Sequence, residues 1–134
     1  MASEIQNKLG AAKGAATLLV LFIPSTDRNE NPIADQKHWV RKALEFLGTH
    51  FGGATAFPRA QGVWRDDEQK GKLIYDEPVI INCYTSEDLI EEHVDKLGGF
   101  LREMGETTNQ GAVGLVIDRD YLEIGFPMED SENG

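Results

Sequence analysis

Apolar residues return every three or four positions in two separate stretches, and each stretch is flanked by short runs dense in β-branched and aromatic residues. In the first stretch Trp39, Val40, Ala43, Leu44, Leu47 and Phe51 share one side of a helical wheel, while Lys37, Arg41, Lys42 and Glu45 fall elsewhere. Asp35 suits its N-cap, and Gly48 and Gly52-Gly53 mark its end. In the second, Leu89, Ile90, Val94, Leu97, Phe100, Leu101 and Met104 oppose Glu87, Glu91, Asp95 and Arg102, after a start at Thr85-Ser86-Glu87-Asp88. Around these two helices stand four strand-like segments. LLVLFI is closed by Pro24, and ATAFPRAQGVWR is made an edge or a bulge by Pro58 and Gly62. LIYDEPVIINCY is divided by Pro78, and GAVGLVIDRDYLEIGF is either one final strand or a strand with a turn near Asp118-Arg119-Asp120.

The order strand, helix, strand, strand, helix, strand predicts an α+β fold of the ferredoxin-like βαββαβ kind, a four-stranded antiparallel sheet with two helices on one face. The expected division is a flexible N-terminal segment over 1–14, one domain over 15–126 and a disordered acidic tail over 127–134. With 134 residues such a chain buries a sufficient core without a metal or disulfide, and the single Cys83 cannot form an internal bridge. No apolar run reaches the roughly 20 residues of a membrane span. The run from Ala15 to Pro24 is preceded by Glu4 and followed by no small-residue cleavage site, so it reads as a buried strand and not a secretion signal. These features imply a cytoplasmic protein without a membrane partner.

Charge adds a second constraint. Residues 1–65 carry eight basic and five acidic side chains, whereas residues 66–134 carry five basic and eighteen acidic ones, for a total of −10. A net charge of this sign repels phosphate backbones and anionic lipid, so direct nucleic-acid binding is not expected. Seven acids lie on or beside the second helix, and Glu87, Asp88, Glu91, Glu92 and Asp95 form a candidate partner-binding surface. As a mimic of nucleic acid these residues would occupy a basic cleft on another protein; as an ordinary helix face they are simply solvated.

Several chemistries lack their signatures. His38, His50, His93 and Cys83 have no metal-ligand spacing, so no metal is expected. Neither a G-x-x-x-x-G-K-[ST] cradle, a strand-linked G-x-G-x-x-G nor a G-x-S-x-G elbow is present, and no cofactor is implied. Asp66, Asp67, Glu68 and Lys70 evoke a metal-dependent nuclease, but the earlier Pro-Asp pair is missing and a turn-borne charge run is ordinarily solvated.

The polar loop STDRNENPIAD is placed to form a site after the first strand. The segment FPRAQGVWRDDEQKGKLIYDEPVII stands out further. Counting outward from a turn near Gln69 to Gly71 sets Trp64 close to Glu77, which would gather Arg59, Trp64 and Glu77 on one sheet face. In a pocket, Arg59 would anchor an anion, Trp64 would form a wall, Glu77 would act as base or counter-ion and Gln110 would contribute a polar contact. As structure alone, the same residues make a cross-strand pair beside a packed indole.

Phe57-Pro58, Gly62-x-Trp64, Glu77 before an apolar strand, Asn109-Gln110-x-x-Val113 and Phe126 together resemble a family of short bacterial domains of unknown function. The family wording after Phe-Pro is closer to Gly-x-Thr, where this chain has Arg59-Ala60-Gln61. The resemblance spans residues 17–126 and implies a ferredoxin-like outline and a bacterial or phage origin, with no chemistry attached.

A ferredoxin-like sheet leaves one face bare, to be covered by self-association, a ligand or a partner. The leading expectation is therefore a non-catalytic module, homodimeric, that docks a protein partner through its sheet face or its acidic helix. The rival is a small enzyme or small-molecule binder of the dimeric α+β barrel type, with a pocket around Arg59, Trp64 and Glu77.

Overall fold

Residue by residue, the apolar periodicities become helices and the β-branched runs become strands in the structure, a computed structural model that describes residues 2–127. Helix α1 (Ala2–Leu9) occupies part of the expected flexible segment and leaves Ile5 and Leu9 exposed. Strand β1 (Thr17–Ile23) follows, then α2 (Gln36–Phe51), β2 (Thr55–Ala56), β3 (Gly62–Asp66), β4 (Lys72–Asp76), β5 (Val79–Thr85), α3 (Glu87–Glu92), α4 (Val94–Thr107), β6 (Ala112–Ile117) and β7 (Asp120–Gly125). The expected acidic tail lies, apart from Pro127, outside the described residues.

The α+β class and the antiparallel pairing are as expected, but the count of elements is not. A five-stranded sheet runs in the order β2-β5-β1-β6-β7, and β3 and β4 form a separate two-stranded sheet. The single strand expected over 54–65 is split in two. Pro58 has no amide hydrogen to continue the ladder, so β2 stops after pairing Thr55 with Asn82 and Ala56 with Ile81, and the chain leaves the main sheet. The last strand folds back as a hairpin because Asp118 takes the left-handed region (φ 57°), which closes the turn from β6 into β7.

The second helix is also interrupted. His93 leaves helical geometry (φ −113°, ψ 17°), ending α3, while its ring lies against His50 (4.8 Å between centroids) and Phe51 (5.8 Å). Ser86 caps α3 by accepting a hydrogen bond from Leu89 N–H at 3.2 Å. Asp35 caps α2 by accepting from His38 N–H.

Alternation along the strands sends Leu19, Leu21, Ile23, Val79, Ile81, Cys83, Val113 and Leu115 to one face. There they meet Trp39, Ala43 and Leu47 of α2 and Leu97, Leu101 and Met104 of α4 in a single core. Phe46 stacks on Phe100 at 5.4 Å and joins the two long helices. The opposite face keeps apolar groups half-covered: Phe22 meets Tyr121 edge-on at 6.3 Å, and Tyr84 stays exposed. No helix among the described residues is long and apolar enough to cross a membrane.

Two consequences are measurable. Gly52 ends α2 at φ 98°, donating its N–H to Gly48 C=O, a conformation that a Cβ penalises. Gly52→Ala is expected to lower the unfolding free energy by about 1 kcal/mol in urea titration. The second concerns His50, whose pKa is lowered by partial burial first, then by His93 and by Lys96. The unfolded chain then binds more protons than the folded one as pH falls through the ordinary histidine value of 6.5. Stability from this group is complete above that value and is lost on acidification below it. In thermal scans from pH 7.5 to 5, His50→Gln should therefore lose less of its melting temperature than the unmodified chain; equal losses would rule His50 out.

Candidate functional site

The loop from β1 into α2 is held from several sides. Asp27 Oδ1 accepts from Asn29 N–H at 2.8 Å and Asn31 N–H at 3.0 Å, and Glu30 turns the chain in the left-handed region. Arg28 N–H donates to Asn109 C=O, and the Arg28 guanidinium reaches Gln110 C=O at 2.6 Å. Lys72 Nζ meets Glu30 Oε2 at 2.9 Å and ties the loop to β4.

At the foot of this loop Ser25 is buried, with 6% of its surface exposed, and it grips the junction between β4 and β5. Asp76 Oδ1 accepts from Ser25 N–H at 3.1 Å, from Ser25 Oγ–H, and from Glu77 N–H at 2.9 Å. Ser25 Oγ in turn accepts from Glu77 N–H at 2.9 Å. The carbonyl of Glu77 accepts from Gln36 Nε2 at 3.1 Å, and the same amide donates to Ile23 C=O at 3.2 Å. Both backbone polar groups of Glu77 are therefore fixed, although the residue sits in an exposed turn.

Above this junction opens a cleft of about 460 Å³, lined by Ser25, Thr26, Arg59, Tyr75, Asp76 and Glu77 among others. Its volume suits a small molecule. Arg59 Nη1 stands 3.4 Å from Glu77 Oε1, both side chains more than half exposed. Arg59 is held on the segment between β2 and β3, where Phe57 N–H donates to Ile80 C=O and Ala60 N–H to Pro78 C=O. Tyr75 offers a largely exposed ring. The cleft thus combines one cation, two carboxylates, a buried hydroxyl and an aromatic face.

A second cleft of about 410 Å³ lies beside the same loop, lined by Asp27, Ile33, Asp35, His38, Trp39 and Thr108 among others. Its two carboxylates already cap backbone amides through Asp27 Oδ1 and Asp35 Oδ1. Neither a lysine nor an arginine lines it to balance them as Arg59 balances Glu77, so it is the weaker candidate.

The structure brings together Arg59 and Glu77, and separates Trp64 and Gln110 from them. Trp64 pairs with Ile74, not with the neighbourhood of Glu77. The β3–β4 hairpin centres on Gln69, and moving the centre of a hairpin by one residue moves every partner by two. Trp64 is 55% exposed and outside the cleft lining. Gln110 is buried, donating from Nε2 to Thr26 C=O at 2.8 Å and Thr108 C=O at 3.2 Å, so it braces the loop from behind. The acids divide between two helices: Glu87, Asp88, Glu91 and Glu92 on α3, and Asp95 on α4. Asp66 to Gln69 form a capped 3-10 turn, Asp66 Oδ1 accepting from Glu68 N–H, and among the described residues no group of three or more His, Cys, Asp and Glu is placed to hold a metal ion.

Tyr75 and Asp76 were not singled out from the sequence, and Ser25 was marked only as a member of the polar loop. Ser25 and Asp76 are 51 positions apart, and only the β1–β5 pairing brings them together.

No protein-family model matches the chain, and no curated protein sequence matches it. Solved structures do. A phage SAM lyase in complex with S-methyl-5'-thioadenosine matches with a TM-score of 0.59 and 15% identity, over 85% of this chain and 92% of that one. A phage SAM lyase in the apo state matches with a TM-score of 0.60 and 18% identity over the same shares. At these identities the likeness is one of fold. It overturns the expectation of a non-catalytic assembly module, because the architecture it shares is one that carries an enzyme. The rival expectation, a small enzyme or small-molecule binder with Arg59 and Glu77 in its pocket, fits better, with Trp64 replaced by Tyr75 as the aromatic group of the cleft.

Proposed function

We propose that this chain is a small enzyme that binds S-adenosylmethionine in the cleft beneath the β1–α2 loop and cleaves it to S-methyl-5'-thioadenosine. The observation that carries the reading is the coincidence of two things: a fold matched over 85% of the chain to a SAM lyase, and a cleft whose groups suit that substrate. The fold itself we read as a ferredoxin-like core, β2-β5-β1-β6, into which the β3–β4 hairpin is inserted and to which β7 is added.

S-adenosylmethionine is a sulfonium cation with a purine at one end and an amino acid at the other. The Glu77 carboxylate supplies negative charge for the cation, and Tyr75 supplies a π-face for the purine. Cleavage of one carbon–sulfur bond passes the bonding pair to sulfur and turns the sulfonium into a neutral thioether. A lyase adds no water, so the carbon that loses sulfur takes its new bond from within its own four-carbon fragment: a carboxylate oxygen closes on it to form a lactone, and no proton is gained or lost. The work of the protein is then to bind, orient and exclude water, which needs neither a metal nor a covalent intermediate. The acidity of the chain acquires a purpose in this reading, since a net charge of −10 favours the approach of a cationic substrate.

The test is direct. Purified chain incubated with S-adenosylmethionine and no acceptor should release S-methyl-5'-thioadenosine, followed by liquid chromatography and mass spectrometry. Failure to release it above the uncatalysed background would overturn the reading.

A further inference from the structure

We infer that Arg59 determines specificity for the amino-acid end of the substrate: it leaves Glu77 and takes the substrate carboxylate, while Glu77 keeps the cationic end. The inference rests on the proposed use of S-adenosylmethionine, and it assigns a role that the fold likeness does not supply.

Three observations carry it. The Arg59–Glu77 contact is a single one at 3.4 Å between side chains that are 56% and 55% exposed, and such a pair is weak and easily exchanged. Among the described residues Arg59 makes no other ion pair, so most of its guanidinium donors face the cleft or solvent, and a carboxylate can take two of them side by side. Finally, the two partners sit on backbones that are held independently. Arg59 lies between the Phe57 and Ala60 amides bound to Ile80 and Pro78 carbonyls, while Glu77 is pinned by Ser25, Asp76 and Gln36. Neither backbone must move when the ion pair opens. The pair holds the two charges beside each other; a zwitterionic amino-acid chain entering between them replaces one exposed pair with two. Of the charged groups lining the cleft, Arg59 is the cation, and Asp76 is engaged through Oδ1 with Ser25 and Glu77 N–H.

S-methyl-5'-thioadenosine lacks the amino-acid chain, and decarboxylated S-adenosylmethionine lacks only the carboxylate, so the two probes isolate the contact. Calorimetric titration is expected to show Arg59→Ala weakening S-adenosylmethionine by about 10-fold or more, the loss of a charged hydrogen-bonded contact. The same variant should leave S-methyl-5'-thioadenosine and the decarboxylated analogue within about twofold of their original affinities. Arg59→Lys should recover part of the loss, since a point charge replaces a fork. Arg59→Ala binding S-adenosylmethionine unchanged, or weakening all three ligands alike, overturns the inference while leaving the proposed function standing. An unmodified chain that binds none of the three overturns both.

Discussion

Glu77→Gln is expected to reduce kcat/KM for S-adenosylmethionine cleavage by roughly 100-fold or more while the protein melts within about 2 °C of the unmodified chain. The amide keeps the shape of the carboxylate and removes only its charge. A unit charge about 4 Å from a cation at a partly solvated site interacts by about 4 kcal/mol; the sulfonium gives up part of its charge on the way to the transition state, so about 2.7 kcal/mol of that is what kcat/KM loses when the carboxylate goes. Each 1.36 kcal/mol is a factor of ten in rate. Folding is spared because what holds residue 77 in place is its backbone, the N–H bound to Ser25 Oγ and Asp76 Oδ1 and the C=O bound to Gln36. The side chain contributes one exposed ion pair, worth well under 1 kcal/mol. Turnover left intact by Glu77→Gln would remove this residue from the catalytic machinery. A large fall in melting temperature would show that its role had been structural.

What could be read from the sequence was whatever depends on local periodicity. The stripe from Trp39 to Phe51 and the cap at Asp35 predict α2 almost to the residue, because helix periodicity and capping are near-neighbour effects. Pro78 divides β4 from β5 as expected. The errors lie where tertiary contacts decide. His93 stands in a stripe that reads as continuous helix, and the break appears only in three dimensions, where its ring lies against α2. Trp64 was displaced from the site by one position in the centre of a turn, since the register of a hairpin doubles such an error. Arg59 and Glu77 were legible as a pair because both flank one hairpin, close in sequence. Ser25 was legible only as a member of a polar loop, and nothing local connects it to Asp76. The bare sheet face invited a reading of assembly, but a cleft between loop and hairpin cannot be seen from strand order alone.

Asp76→Ala should prove the more damaging change to the fold, lowering the unfolding free energy by about 3 kcal/mol and the melting temperature by roughly 10 °C. One oxygen of this carboxylate accepts from three donors, Ser25 N–H, Ser25 Oγ–H and Glu77 N–H. Truncation strips the acceptor from all three at once. A buried donor left unpaired costs about 1–3 kcal/mol, and Ser25 is 6% exposed, so water cannot fully replace what is lost there. Glu77 N–H retains Ser25 Oγ, which keeps the sum below three full penalties. Asp76→Asn retains an acceptor oxygen at the same place and is expected to recover most of the stability, losing about 1 kcal/mol through the weaker neutral contact. Chemical denaturation of the three proteins measures the difference, and Asp76→Ala unfolding together with the unmodified chain would show that the junction is held by other contacts. The same comparison separates structure from catalysis. Asp76→Asn keeps the Glu77 backbone anchored and should cleave S-adenosylmethionine far better than Glu77→Gln, because Asp76 acts on the substrate chiefly by holding its neighbour in place.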